Sequence, residues 1–118
     1  MRRSSLSGII PLLLLLATSG ASAHAMLDHA EPRVGNKVAT TPHEVTLWFT
    51  QNLEPAFSTI TVTDSAGKRV DTGKTLVSGS RMSVSLRPGG SGTYHVKWHV
   101  ISVDTHATDG SFTFQVGQ

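Results

Sequence analysis

From residue 43 to the C-terminus, apolar and polar positions alternate with a period of two. Over residues 43–49, Val45, Leu47 and Phe49 fall on one face. Over 57–63, Ile60 and Val62 oppose Thr59, Thr61 and Thr63. Over 81–87, Met82, Val84 and Leu86 align. The longest stretch, 93–103, sets Tyr94, Val96, Trp98 and Val100 against His95, Lys97, His99 and Ile101. Residues 111–116 close the pattern with Phe112, Phe114 and Val116. Period two marks half-buried strands, and no window carries the 3.6-residue period of a helix. Asp64-Ser65-Ala66-Gly67 reads as a turn, with Gly67 suited to a positive φ. Pro88-Gly89-Gly90-Ser91-Gly92 breaks the chain between two strands. Short strands with one polar face each predict an all-β domain, a Greek-key β-sandwich or small barrel of about seven strands. Trp48 and Trp98 are expected to pack rather than to serve as stacking platforms.

The N-terminus breaks this alternation. Met1-Arg2-Arg3 precedes an apolar run over 8–17, Leu-rich at 12–16, and then Ala21-Ser22-Ala23. A basic start, a short apolar stretch and a small-residue A-x-A exit describe a secretory signal peptide. Residues 1–23 are therefore expected to be removed, leaving an exported domain over 24–118. The alternative is an uncleaved anchor, which the well-formed exit and the shortness of the run disfavour. Processing also changes the charge. The chain has 10 Lys and Arg against 8 Asp and Glu. Arg2 and Arg3 leave with the peptide and every acid stays, so the mature domain is neutral. A neutral domain without a Lys/Arg stripe does not suit nucleic acid. There is no cysteine, which excludes disulfides, thiolate metal ligands, Cys nucleophiles and redox dithiols. The core must hold by packing alone, or with help from a bound metal.

Candidate chemistry lies in the histidines. Cleavage after Ala23 makes His24 the mature N-terminus. Its α-amine and its imidazole Nδ1 could then chelate one ion, which no internal histidine can do. The amine must lose its proton first, and its ordinary pKa of about 7.7–8.0 allows this. The bland reading is an accidental N-terminal His. Asp104-Thr105-His106 directly follows the longest strand. On an extended segment residues two apart share a side, so a carboxylate and an imidazole could converge on one ion. The bland reading here is a polar hairpin loop, with Gly110 letting the chain turn into the last strand. Together, His24 amine, His24 ring, His106 ring and Asp104 carboxylate form three nitrogens and one oxygen. Such borderline-to-hard donors suit Cu(II). With neither thiolate nor a methionine cluster, Cu(I) is poorly served.

The stretches His24-Ala25-x-Leu27, Glu31-Pro32, Val45-Thr46-Leu47-Trp48-Phe49-Thr50 and Trp98-His99-Val100-Ile101-Ser102-Val103-Asp104-Thr105-His106 carry a family likeness. So do Gly110, Phe112, Phe114 and Val116 after them. From His24 onward the chain resembles the CopC family of periplasmic copper-binding proteins, its YobA-like members included. The resemblance implies an immunoglobulin-like β-sandwich or barrel. It also implies one Cu(II) per chain on His24 (amine and ring), Asp104 and His106, and a partner of the inner-membrane CopD type. The chain departs from the family in two places. Some members carry a Met-rich loop for Cu(I), but residues 64–82 here hold one Met and no His, which implies a Cu(II)-only type. The family also often has a Glu after its first clear strand, where this chain has the uncharged Gln51.

The other histidines receive plainer readings. His29 is expected to be solvated or loop-packed, and His43 to lie on the surface. His95 shares an outer face with Lys97 and His99. His99 is a candidate neighbour of the site rather than a ligand. Three functions compete: a copper carrier or buffer with no enzymatic activity, a histidine-brace copper oxidase or monooxygenase, and a metal-free sandwich module for adhesion or assembly. The converging donors favour the first.

Overall fold

The computed structural model describes residues 24–117. The expected signal segment, residues 1–23, lies outside the described residues, as does Gln118. The strands are β1 (Leu27–Glu31), β2 (Lys37–Val38), β3 (Glu44–Phe49), β4 (Thr59–Thr63), β5 (Asp71–Ser78), β6 (Arg81–Leu86), β7 (Gly92–Ile101) and β8 (Ala107–Val116). They form two four-stranded sheets, in the orders β1-β3-β6-β5 and β2-β8-β7-β4. Pairing is antiparallel throughout except for β2 against β8. This is the all-β sandwich that the alternation predicts.

The alternating faces meet in one core. Val45, Leu47 and Phe49 of β3 lie over Met82, Val84 and Leu86 of β6. From the other sheet come Ile60 and Val62, then Tyr94, Val96 and Val100, then Phe112, Phe114 and Val116. Each is below a tenth exposed, and burying a side chain of this kind contributes about 1.5–3 kcal/mol. The turn at residues 64–67 also forms as expected. Asp64 Oδ1 accepts from the Ala66 and Lys68 amides, and Gly67 sits at φ +81°.

Eight strands stand where about seven are expected, and the edges account for the difference. β1 and β5 are the edge strands of one sheet, and each buries few side chains, so their alternation is faint. β5 is also interrupted by a register shift between Asp71 and Thr75, where Gly73 has φ +86°. β2 has only two residues. β8 begins at Ala107, four residues before the expected 111, which confines the connection after β7 to residues 102–106. Gly110 therefore lies inside β8, opposite Trp98, and makes no turn. A Cβ there would collide with the Trp98 indole, so glycine is needed for clearance. Trp98 packs against the core, edge-to-face on Phe49 with centroids 5.0 Å apart. Trp48 does not. It alternates outward from Leu47 and Phe49, and the His29 ring stacks on it at 4.3 Å.

The free edges of the two sheets meet at β4 and β5, where side chains substitute for a backbone ladder. Thr75 Oγ1 accepts from the Ile60 amide (3.2 Å) and Asp71 Oδ2 from the Val62 amide (2.8 Å). The other Asp71 oxygen accepts from the Gly73 amide at 2.8 Å. Arg69 Nε lies 2.9 Å from Oδ2, and Arg87 binds the Asp71 carbonyl. The Asp71 side chain is wholly buried. Burial pushes its pKa up, but the Arg69 guanidinium and the two amides outweigh that and hold it below the usual carboxylate value. Its contribution is therefore complete above the unfolded-state pKa of about 3.9 and is lost as pH falls through the lower folded-state value. Asp71→Ala should lower urea-measured stability at neutral pH by about 2–4 kcal/mol, because a buried amide loses its acceptor along with the charge-assisted bonds. The gap between the two proteins should shrink below pH ~4 as the carboxylate takes up its proton. Equal stability at neutral pH would mean that the seam closes without the carboxylate.

Candidate metal centre

The loop between β7 and β8 is five residues long, and its backbone is held from several sides. The Ser102 amide donates to the His106 carbonyl (2.9 Å) and the Thr105 amide to the Ser102 carbonyl (2.8 Å). The Val103 amide donates to the Asn52 carbonyl (3.0 Å), and Ser102 bridges to Leu53. Thr105 adopts φ +73°, a left-handed conformation that costs a β-branched residue about 1–2 kcal/mol. That strain sits between Asp104 and His106.

Ser102 is fully buried, and its hydroxyl donates to Asp104 Oδ1. The same carboxylate oxygen lies 3.3 Å from His106 Nδ1. The Ser102 hydroxyl, and after it the His106 ring and amide, hold the Asp104 pKa below the ordinary carboxylate value, against a smaller opposing effect of burial. Asp104 is therefore ionised at neutral pH. A proton on His106 Nδ1 completes the bond to Asp104 and leaves Nε2 as the lone-pair nitrogen. Asp104 and His106 thus meet as expected, but through a turn with Thr105 left-handed between them and not along an extended segment.

His24 reaches this loop because its neighbours are fixed. Ala25 is fully buried, and its carbonyl accepts from Thr108 Oγ1 of β8 at 2.8 Å. The Met26 amide donates to Thr50 Oγ1, and the Thr50 amide donates to the Met26 carbonyl, both at 2.9 Å. Thr50 follows β3 and Thr108 belongs to β8, so the segment is tied to both sheets. The His24 and His106 rings meet edge-to-face with centroids 4.6 Å apart. His24, Met26, Thr50, Gln51, Ala107 and Thr108 line one open pocket. Gln51 lines the same pocket as His24.

Two imidazoles and a carboxylate stand in a row, His24 against His106 and His106 against Asp104. Among the described residues, no three His, Cys, Asp or Glu side chains already form an ion-holding cluster. A 4.6 Å ring separation lets one ion touch both imidazoles. The donors are nitrogen-rich with one carboxylate, which fits Cu(II).

The remaining histidines are elsewhere. His29, stacked on Trp48, has Nδ1 2.7 Å from Asp28 Oδ2. His99 has Nδ1 2.6 Å from Asp109 Oδ1 on the outer face of the second sheet, so its partner is Asp109 and not the site. His95 is exposed on that same sheet, and His43 lines a small pocket beyond the start of β3, at the far end of that strand. Sequence reasoning missed the anchors Thr50 and Thr108 and the tether Ser102. Each acts on a backbone group or a loop carboxylate through a single hydroxyl, which leaves no pattern in the chain. For Thr108, the partner is 83 residues away.

Comparison with known proteins bears on the fold and the family. A family model described as the CopC domain matches residues 27–117. Protein YobA of Escherichia coli strain K12 is 36% identical over 110 residues, covering 86% of this chain and 85% of YobA. The crystal structure of CopC from Methylosinus trichosporium OB3b superposes with a TM-score of 0.74 at 32% identity, over 79% of this chain and 93% of that one. PcoC, a methionine-rich copper resistance protein from Escherichia coli, superposes with a TM-score of 0.71 at 31% identity, over 80% and 99%. The sandwich and the sequence likeness span the same residues, and the chain belongs to the CopC family.

Proposed function

We propose that this protein is a periplasmic copper carrier or buffer that binds one Cu(II) through the His24 amine and ring, the Asp104 carboxylate and the His106 ring. The observation that carries the reading is the His24–His106 ring contact, with Asp104 beside His106. The family is one of copper-binding resistance proteins and not of enzymes, which sets aside the oxidase and adhesion alternatives. The reading takes residues 1–23 as a signal peptide and 24–118 as the working domain. A chelating amine requires that the chain begin at His24. An inner-membrane CopD-type protein is the proposed exchange partner. Among the described residues, no helix is long and apolar enough to cross a membrane.

The chemistry is coordination, with protons as the competitor. Cu(II) must displace the amine proton, and both rings must be neutral. Affinity therefore falls as the solution is acidified. The ion ties the N-terminus to the loop before β8, so binding to the folded state raises the unfolding temperature by mass action.

Electron paramagnetic resonance tests the reading on protein purified after export, with one equivalent of Cu(II) and the N-terminus established by mass spectrometry. A tetragonal signal with nitrogen hyperfine structure is expected, and it should vanish when one extra residue precedes His24. An extended protein that binds as well as the processed one would remove the amine from the ligand set. His24→Ala, Asp104→Ala and His106→Ala should each weaken Cu(II) binding by more than the roughly 10–100-fold that loss of an outer hydrogen-bond partner costs. His24→Ala should still retain some binding through its amine. A titration showing no loss in Asp104→Ala would make that carboxylate a positioning group for His106 instead.

A further inference from the structure

The chain carries three methionines. Met1 lies outside the described residues, and Met82 is 1% exposed inside the core. Met26 is 60% exposed, the one open thioether among the described residues. It is not placed at random on the surface. Ala25 points into the core, so the alternation of an extended chain puts His24 and Met26 on the same outward side. Both line the same pocket. The Met26 backbone is held at both its amide and its carbonyl by Thr50, while its side chain keeps three rotatable bonds. A flexible soft donor on a fixed stem therefore shares a pocket with the His24 imidazole, which in turn meets the His106 ring.

We infer that Met26 makes this site competent to keep copper after reduction, as Cu(I) held by the Met26 thioether with the His24 and His106 rings. The inference rests on the proposed Cu(II) site and departs from the Cu(II)-only type that the missing Met-rich loop implies. Ligand softness gives the reason. Thioethers select Cu(I), imidazole serves both oxidation states, and carboxylates suit harder ions. One electron from a reductant of the ascorbate class converts Cu(II) to Cu(I). No covalent bond of the protein changes. The ion gives up the Asp104 oxygen and takes the Met26 sulfur, and the two rings hold it through the exchange. Residues 64–82 contain no methionine loop, so the soft donor would be supplied beside His24.

The test compares the exported, processed protein with Met26→Leu, a volume-conserving change at an exposed position. Each is loaded with one equivalent of Cu(II), recorded by electron paramagnetic resonance, then reduced with ascorbate without oxygen. Cu(I) is titrated against a chromogenic chelator, and copper X-ray absorption reports the neighbouring atoms. Wild type should show a sulfur neighbour in the reduced state, absent in Met26→Leu. The variant should lose Cu(I) affinity about tenfold or more while its Cu(II) signal keeps the wild-type form. Equal Cu(I) affinities, or a reduced wild type with no sulfur neighbour, would overturn the inference and leave the Cu(II) reading standing. A wild type with no tetragonal Cu(II) signal would overturn that reading, and this inference with it.

Discussion

The placement of His24 depends on Ala25. A residue at the start of a folded domain is normally free to move, and ordering its backbone costs about 1–2 kcal/mol. Here residue 25 is fully buried, its carbonyl is taken by Thr108 and the next residue is paired with Thr50 in both directions. Each neutral hydrogen bond contributes about 0.5–1.5 kcal/mol net, enough in sum to offset the ordering. The result is a His24 that is exposed yet confined to the reach of one residue. Because Thr50 extends one sheet and Thr108 belongs to the other, the same bonds close the sandwich at the end where His24 meets the β7–β8 loop.

The loop that meets His24 is held by comparable means. Ser102 is buried and bonded to both Asp104 and His106, and Val103 is tied to Asn52. These contacts over-determine the loop well enough to sustain Thr105 in its left-handed conformation. A different side-chain seam joins β4 to β5, where Asp71 and Thr75 take amides that an open edge would present to water. The sandwich is thus fastened at both places by side-chain oxygens accepting backbone amides or donating to a carbonyl. No disulfide is available to do so.

What was legible in the chain follows from how many side chains carry each feature. β3, β6, β7 and the C-terminal part of β8 each bury three or more apolar residues on one face, and they stood out. β1, β2 and β5 lie at sheet edges and bury few, so no periodicity marked them. Trp48 has the composition of a core residue, but it lies on the outward phase of β3 beneath His29. Gly110 looked like a turn, yet its reason is the indole opposite, visible only once the β7–β8 register is known. Asp104 and His106 were legible because their donor atoms declare their chemistry. Thr50, Ser102 and Thr108 were not, because a hydroxyl that bonds to a distant carbonyl or steadies a neighbour looks like any other loop or strand residue.

A carrier must hold its ion and also release it, and the location of the proposed donors bears on both. None comes from the interior of a sheet. His24 precedes β1, and Asp104 and His106 sit on a five-residue loop. Loading and unloading can therefore proceed through ligand exchange at the rim while the buried core keeps its packing. Tight holding comes from the anchors one residue behind the donors, since donors already confined lose little further entropy on binding. Release comes from exposure: His24 and His106 are both open to solvent, so an incoming ligand or a proton can reach one ring at a time. The carboxylate is different, because Asp104 is engaged by a buried serine and by His106 and stays ionised near neutrality. Rings that exchange and a carboxylate that remains charged would give a site that loses its grip by steps, with the sandwich behind it unchanged.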